Sequence, residues 1–155
     1  MSDIAISVAL HVVGVVWWIG GIAFVATVLL PELRRHPDDA LERFRAIEHR
    51  FAPQARIAVL LVGLSGGWML YRLGYWRLLG HPQFWWVDAM LAFWALFFVM
   101  LFVLGPTGVL RRIMSGPLEN DLPKRFARLH YLHVALLIVG LIVVAGGTAG
   151  SHGLG

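Results

Sequence analysis

The feature that most constrains this chain is a run of 27 residues, Ile4–Leu30, without a single Asp, Glu, Lys or Arg. About 20 apolar residues carry an α-helix across the ~30 Å hydrocarbon core of a bilayer. With no water there to satisfy backbone amides, an open chain crosses only as helix. Three more apolar stretches follow, at about 57–73, 84–110 and 131–149. The stretch 57–73 is the weakest, being short, with Ser65 inside it and Arg72 near its end. Asp88 stands near the start of 84–110 and Pro106 near its end. The pattern predicts an all-α, integral membrane four-helix transmembrane bundle, one domain over 1–155. A chain that is 59% hydrophobic and 14% charged has too few polar side chains to cover a soluble domain of this length.

Charge position sets the expected orientation. Arg34, Arg35, Arg43, Arg45, Arg50 and Arg56 follow the first stretch, and Arg111, Arg112, Lys124, Arg125 and Arg128 precede the last. The middle connection holds only Arg72 and Arg77. The positive-inside rule then places two loops in the cytoplasm and both termini on the outer face of a bacterial-type inner membrane. Basic residues beside apolar segments are a topology signal, so the net charge of +4 does not imply nucleic acid. Lipid is the expected surrounding. Trp76, Trp85, Trp86 and Tyr75 would form an aromatic belt on the outer side. Between the first two stretches, Asp39 and Glu42 have capping-box spacing, and Leu41, Phe44, Ile47 and Phe51 recur at helical intervals. They predict an amphipathic surface helix over about 39–52, with His49 solvated, and residues 114–123 form a turn region.

Histidine carries the chemistry. His11 lies inside the first stretch, His130 and His133 open the last, and His152 follows it. An imidazole in hydrocarbon is costly and turns to the bundle interior, where its natural partner is a metal or a haem iron. With no cysteine, disulfides, thiolate clusters and covalent haem attachment are excluded. Projection at 100° per residue groups Ser7, His11, Gly14, Trp18 and Gly21 on one face. It groups Arg56, Gly63, Gly67 and Tyr71 on a second, and His130, His133, Gly140, Gly147, Thr148, Ser151 and His152 on a third. Small residues there let helices approach closely, and Gly14, one turn from His11, would also leave room for a flat macrocycle.

Counting residues from the basic boundary places His11, Asp88 and His152 in one outer layer, near His81. His130, His133 and Arg56 fall near the inner surface. A haem b in the outer layer would take His11 as ligand, with His152 opposite, and Arg72 or Arg77 near its propionates. An inner haem would use His133 or His130, with Arg56 neutralising a propionate. A bare metal bound by His11, His152 and Asp88, with His133 at a separate inner site, is the other reading of these donors. Plain helix packing and hydrogen bonding is the third. No nucleophile stands beside a base and no loop is built to cradle phosphate, so catalysis is left open.

The run from His11 through Gly14, Trp17 and Trp18 to Gly20-Gly21 resembles the first helix of the CopD-like membrane proteins. It is also similar to the HemJ-type protoporphyrinogen oxidases. Arg50-Phe51 to Arg56 with Gly63 and Gly66-Gly67 continues the likeness, as do Arg128 to His133 and Gly150 to Gly153. The resemblance implies a small four-helix protein with His11 as a haem b ligand. The HemJ type carries a lysine on its third helix, where this chain has only Asp88 as a charge, so the likeness implies haem binding and not that reaction. The expected function is a haem b redox carrier exchanging electrons with quinone or a partner protein, alone or as a homo-oligomer. The alternative, implied by the CopD name, is copper handling through His11, Met69, Met90 and His152.

Overall fold

The computed structural model describes residues 2–107 and 122–152. Among these, all regular structure is helical. Helix α1 covers Ser2–Phe24 and passes through a π-helical turn, Val25–Leu29, into α2, Leu30–Arg35. Helix α3 covers Ala40–Arg72. Two 3₁₀ turns, Tyr75–Leu78 and Pro82–Phe84, lead to α4, Trp85–Phe98, which ends in a second π-helical turn, Val99–Leu104. Helix α5 covers Leu122–Ser151. Three of these runs, Ser2–Arg35, Pro82–Leu104 and Pro123–Ser151, are long and apolar enough to cross a membrane. The expected end of the third stretch at 108–110, Arg111, Arg112, residues 114–121 of the turn region and Gly153 lie outside the described residues.

Both π-helical turns sit just ahead of a proline, at Leu30-Pro31 and Gly105-Pro106. A proline ring collides with the carbonyl four residues earlier and has no N–H to give it. Each wide turn closes with a bond five residues back just before its proline: Leu30 N–H donates to the Val25 carbonyl, and Gly105 N–H to the Met100 carbonyl at 3.0 Å. The first helix therefore runs through Pro31 to Arg35, past the end of the uncharged run at Leu30.

The expected surface helix and second stretch prove to be one continuous helix, α3, with Pro53 inside it. Its capping box does not form. Asp39 makes no side-chain cap, and its carboxylate instead accepts from Arg43 Nε at 2.7 Å. Of the predicted apolar stripe, Phe44, Ile47 and Phe51 pack inward, while Leu41 is exposed and Ala40 takes the buried place. His49 is exposed, as expected.

Helix α1 packs on α3 and on α5, and α4 packs on the other sides of α3 and α5, so the four long helices close into a ring. Contacts at glycines give the register. Leu61 and Val62 lie against Gly14 and Phe51 against Gly21, so α1 and α3 are antiparallel; Ile19 and Phe93 both meet Gly140 of α5. One core holds Trp18, Ile22, Ala58, Val59, Val62, Phe93, Phe97 and Val143. A second holds Val25, Leu29, Leu30, Leu33, Ala40 and Phe126, toward the basic end. In the first, Trp18 meets Phe93 and Phe97 at ring separations of 5.3 and 5.0 Å, tilted and edge-on, the geometry favoured by aromatic quadrupoles.

The inward face of α3 differs from the expected one. Its buried residues in the apolar half are Ala58, Val59, Val62 and Ser65, whereas Tyr71 is 72% exposed and nothing lies within contact of a side chain placed at Gly67. Small or polar character misled there because, between helices in lipid, shape decides which face is covered. The loop between α3 and α4 turns at Gly74 and Gly80, whose φ values of 70° and 79° favour glycine.

Candidate functional site

His11 faces α3. Ser7, Gly14 and Trp18, one and two turns away on α1, are buried on the same side. The imidazole Nδ1 lies 3.1 Å from the Val62 carbonyl oxygen and 3.2 Å from Ser65 Oγ. A carbonyl only accepts, so Nδ1 carries the proton and donates. The ring rests on Gly66, where a Cβ would come within 2.9 Å of His11 Cε1. Nε2 is then the unprotonated nitrogen. Among the described residues it makes no hydrogen bond, and it is not among the enclosed unpartnered atoms, as Trp18 Nε1 is. The side chain is half-buried.

His133 repeats the arrangement within one helix. Its Nδ1–H donates to the Leu129 carbonyl at 2.8 Å, and among the described residues Nε2 of this half-buried ring makes no hydrogen bond. His152 donates Nδ1–H to the Thr148 carbonyl at 2.8 Å and is exposed. His130 differs, with Nδ1 enclosed and unpartnered and its ring edge-on to Tyr131 at 5.7 Å.

The other expected site residues have visible occupations. Gly14 is packed against Val62 and Leu61, where a Cβ would come within 2.9 Å, so its open face is taken by α3. Asp88 accepts the Gly80 N–H on both carboxylate oxygens, at 3.2 and 3.1 Å, and so ties the loop to the start of α4. Arg72 Nε donates to Asp3 at 3.1 Å, clasping the beginning of α1 to the end of α3, and its guanidinium lies over Trp68. Arg77 lies over Trp76. The Met90 sulfur fills the space beside Gly147. Among the described residues no three His, Cys, Asp or Glu side chains come together as a metal cluster. The outer set of His11, Asp88 and His152 is therefore not gathered into one.

Arg56 departs from its expected depth. It lies midway on α3 between Phe51, opposite Gly21, and Leu61, opposite Gly14, which sets it at the level of Trp18. His133 is seven residues along α5 from Gly140, which meets Ile19, and at ~1.5 Å per residue this puts it ~10 Å nearer the basic end. By these contacts the backbone of Arg56 sits nearer the middle of the ring than that of His133. The Nε of Arg56 is enclosed without an acceptor, and an unmet buried donor carries a desolvation cost.

Sequence reasoning missed Ser65, which it treated only as a blemish in a weak span, and Trp94. The Trp94 indole N–H donates to the Val59 carbonyl at 2.9 Å while its ring covers Gly63. The signal for Ser65 was present: an isolated hydroxyl in an apolar helix seeks a hydrogen-bond partner across the helix interface. No family model matches this chain, and neither the curated proteins nor the solved structures compared with it gave a match.

Proposed function

We propose that the protein is a four-helix inner-membrane haem b protein that carries electrons, with both termini on the outer side. The observation that carries the proposal is the protonation pattern of the two half-buried histidines. His11 and His133 each commit Nδ1–H to a main-chain carbonyl and, among the described residues, leave the Nε2 lone pair without a hydrogen bond. Metal-ligating histidines hold their second nitrogen in this way, because the bond fixes the tautomer and strengthens the donor.

The donor set fits a haem better than a bare ion. A porphyrin supplies four nitrogens of its own and asks the protein for only one or two axial imidazoles. A zinc or copper site needs three or four protein donors, and the described residues do not assemble them. Bound haem b would supply one-electron chemistry at its iron. The chain's part is to hold the ligand. His11 and His133 are the candidate axial residues of an outer and an inner site. The Trp18, Phe93 and Phe97 cluster fills the interior at the next level. A haem at this level would be held by His11, with this aromatic cluster packed beneath it in the core. The first-helix likeness to CopD-like and HemJ-type proteins supports the same reading, as does the closed ring of helices for a fourth crossing by α3.

The test is spectroscopic. Protein made in haem-replete cells and purified in mild detergent should be red with a Soret band. His11→Ala and His133→Ala should each remove part of the absorbance. Colourless protein, or a spectrum unchanged in both variants, would overturn the proposal.

A further inference from the structure

Ser65 lies on the buried face of α3. Its O–H is directed to the Leu61 carbonyl one turn earlier, at 2.5 Å. With that proton committed, the oxygen can only accept from His11, whose Nδ1 stands 3.2 Å away. Nδ1–H is therefore shared between two acceptors of the same helix, the Val62 carbonyl and the Ser65 hydroxyl. Gly66, the next residue, supplies the bare backbone on which the ring lies. Three consecutive functions, an acceptor, a fixed orientation and a flat seat, thus come from Val62, Ser65 and Gly66 across the α1–α3 interface.

We infer that Ser65 is a positioning residue for His11: it fixes the Nδ1–H tautomer, aims Nε2 away from α3 and raises the donor strength of that nitrogen. The inference rests on His11 being a ligand, but it makes a separate claim about a different side chain. A second acceptor on Nδ1–H moves electron density toward Nε2, which stabilises the oxidised iron over the reduced one. Removing such an outer partner costs about 10–100-fold in metal-site affinity in comparable sites.

Two measurements on Ser65→Ala and Ser65→Thr in the full-length protein decide it. In haem-bound protein, Ser65→Ala should retain a Soret band, release haem to apomyoglobin roughly 10–100-fold more readily, and show a more positive midpoint potential; Ser65→Thr should keep wild-type values. In protein stripped of haem, the His11 Nδ1 proton resonance should move upfield in Ser65→Ala, as one acceptor is lost, and stay in place in Ser65→Thr. An unmoved Nδ1 proton in Ser65→Ala overturns the inference whether or not haem is bound. Wild-type protein that takes up no haem, yet shows the upfield shift, would overturn the proposed function and leave the positioning of His11 by Ser65 upheld.

Discussion

Single glycines in this protein do distinct things, and the difference can be measured. A Cβ at Gly63 would meet the Trp94 indole at 2.5 Å, and that indole is held by its bond to the Val59 carbonyl. Gly63→Ala should therefore destabilise the protein by about 1–3 kcal/mol, the usual range for overpacking. Gly67→Ala, four residues on, meets nothing. It should be neutral or stabilising by about 0.5–1 kcal/mol, because alanine loses less backbone freedom in a helix. Reversible unfolding in mixed detergent checks both. Equal losses would mean that the G-x-x-x-G spacing acts as one interface, contrary to the contacts. The same scale explains why Gly14 is small: it admits Val62, and a porphyrin is not needed to account for it.

At the scale of elements, the two prolines and the two π-helical turns belong together. A proline in an unadapted helix interior costs ~3 kcal/mol or more. The wide turn Val25–Leu29 stands immediately before Leu30-Pro31, so the helix here is already adapted to a proline. Pro31→Ala is thus expected to stabilise α1 by less than that amount, with faster hydrogen exchange at Val25–Leu29 giving way to slower exchange as the turn tightens. A loss of stability in that variant would show that the wide turn is held by its tertiary contacts and not by the proline. Helix α3 carries the other lesson. Its first half bears Glu42, Arg43, Arg45, Glu48, His49 and Arg50 on exposed positions while Phe44, Ile47 and Phe51 pack inward. It therefore continues unbroken into the half of α3 that packs on α1.

For the whole molecule, the decisive question is whether α3 crosses with the three apolar runs. The lack of native cysteine makes single-cysteine labelling clean. With four crossings, a membrane-impermeant maleimide applied from outside should label Gln83→Cys and His152→Cys and leave Arg45→Cys untouched until the membrane is opened. Labelling of Arg45→Cys and not Gln83→Cys from outside would refute the orientation. The clasp between Asp3 and Arg72 joins the start of α1 to the end of α3, on partly exposed side chains. Such a pair contributes only about 0–1 kcal/mol, so the ring of helices is held by the aromatic core and close glycine contacts.

Sequence alone determined the helical class, the membrane-length runs and the inward face of α1, because apolar length and the spacing of Ser7, His11, Gly14 and Trp18 are local properties of one helix. It also singled out the histidines, since an imidazole within an apolar run is rare enough to stand out. Which face of α3 is covered, that α3 is unbroken, that Arg56 lies level with Trp18, and that Asp88 closes a loop were decided only in the tertiary structure. So was the partnership of His11 with Ser65 and Val62, residues more than fifty positions away. Between helices of nearly equal apolarity, hydropathy cannot rank the faces. Shape and the direction of a few hydrogen bonds do, and these exist only once the helices have met.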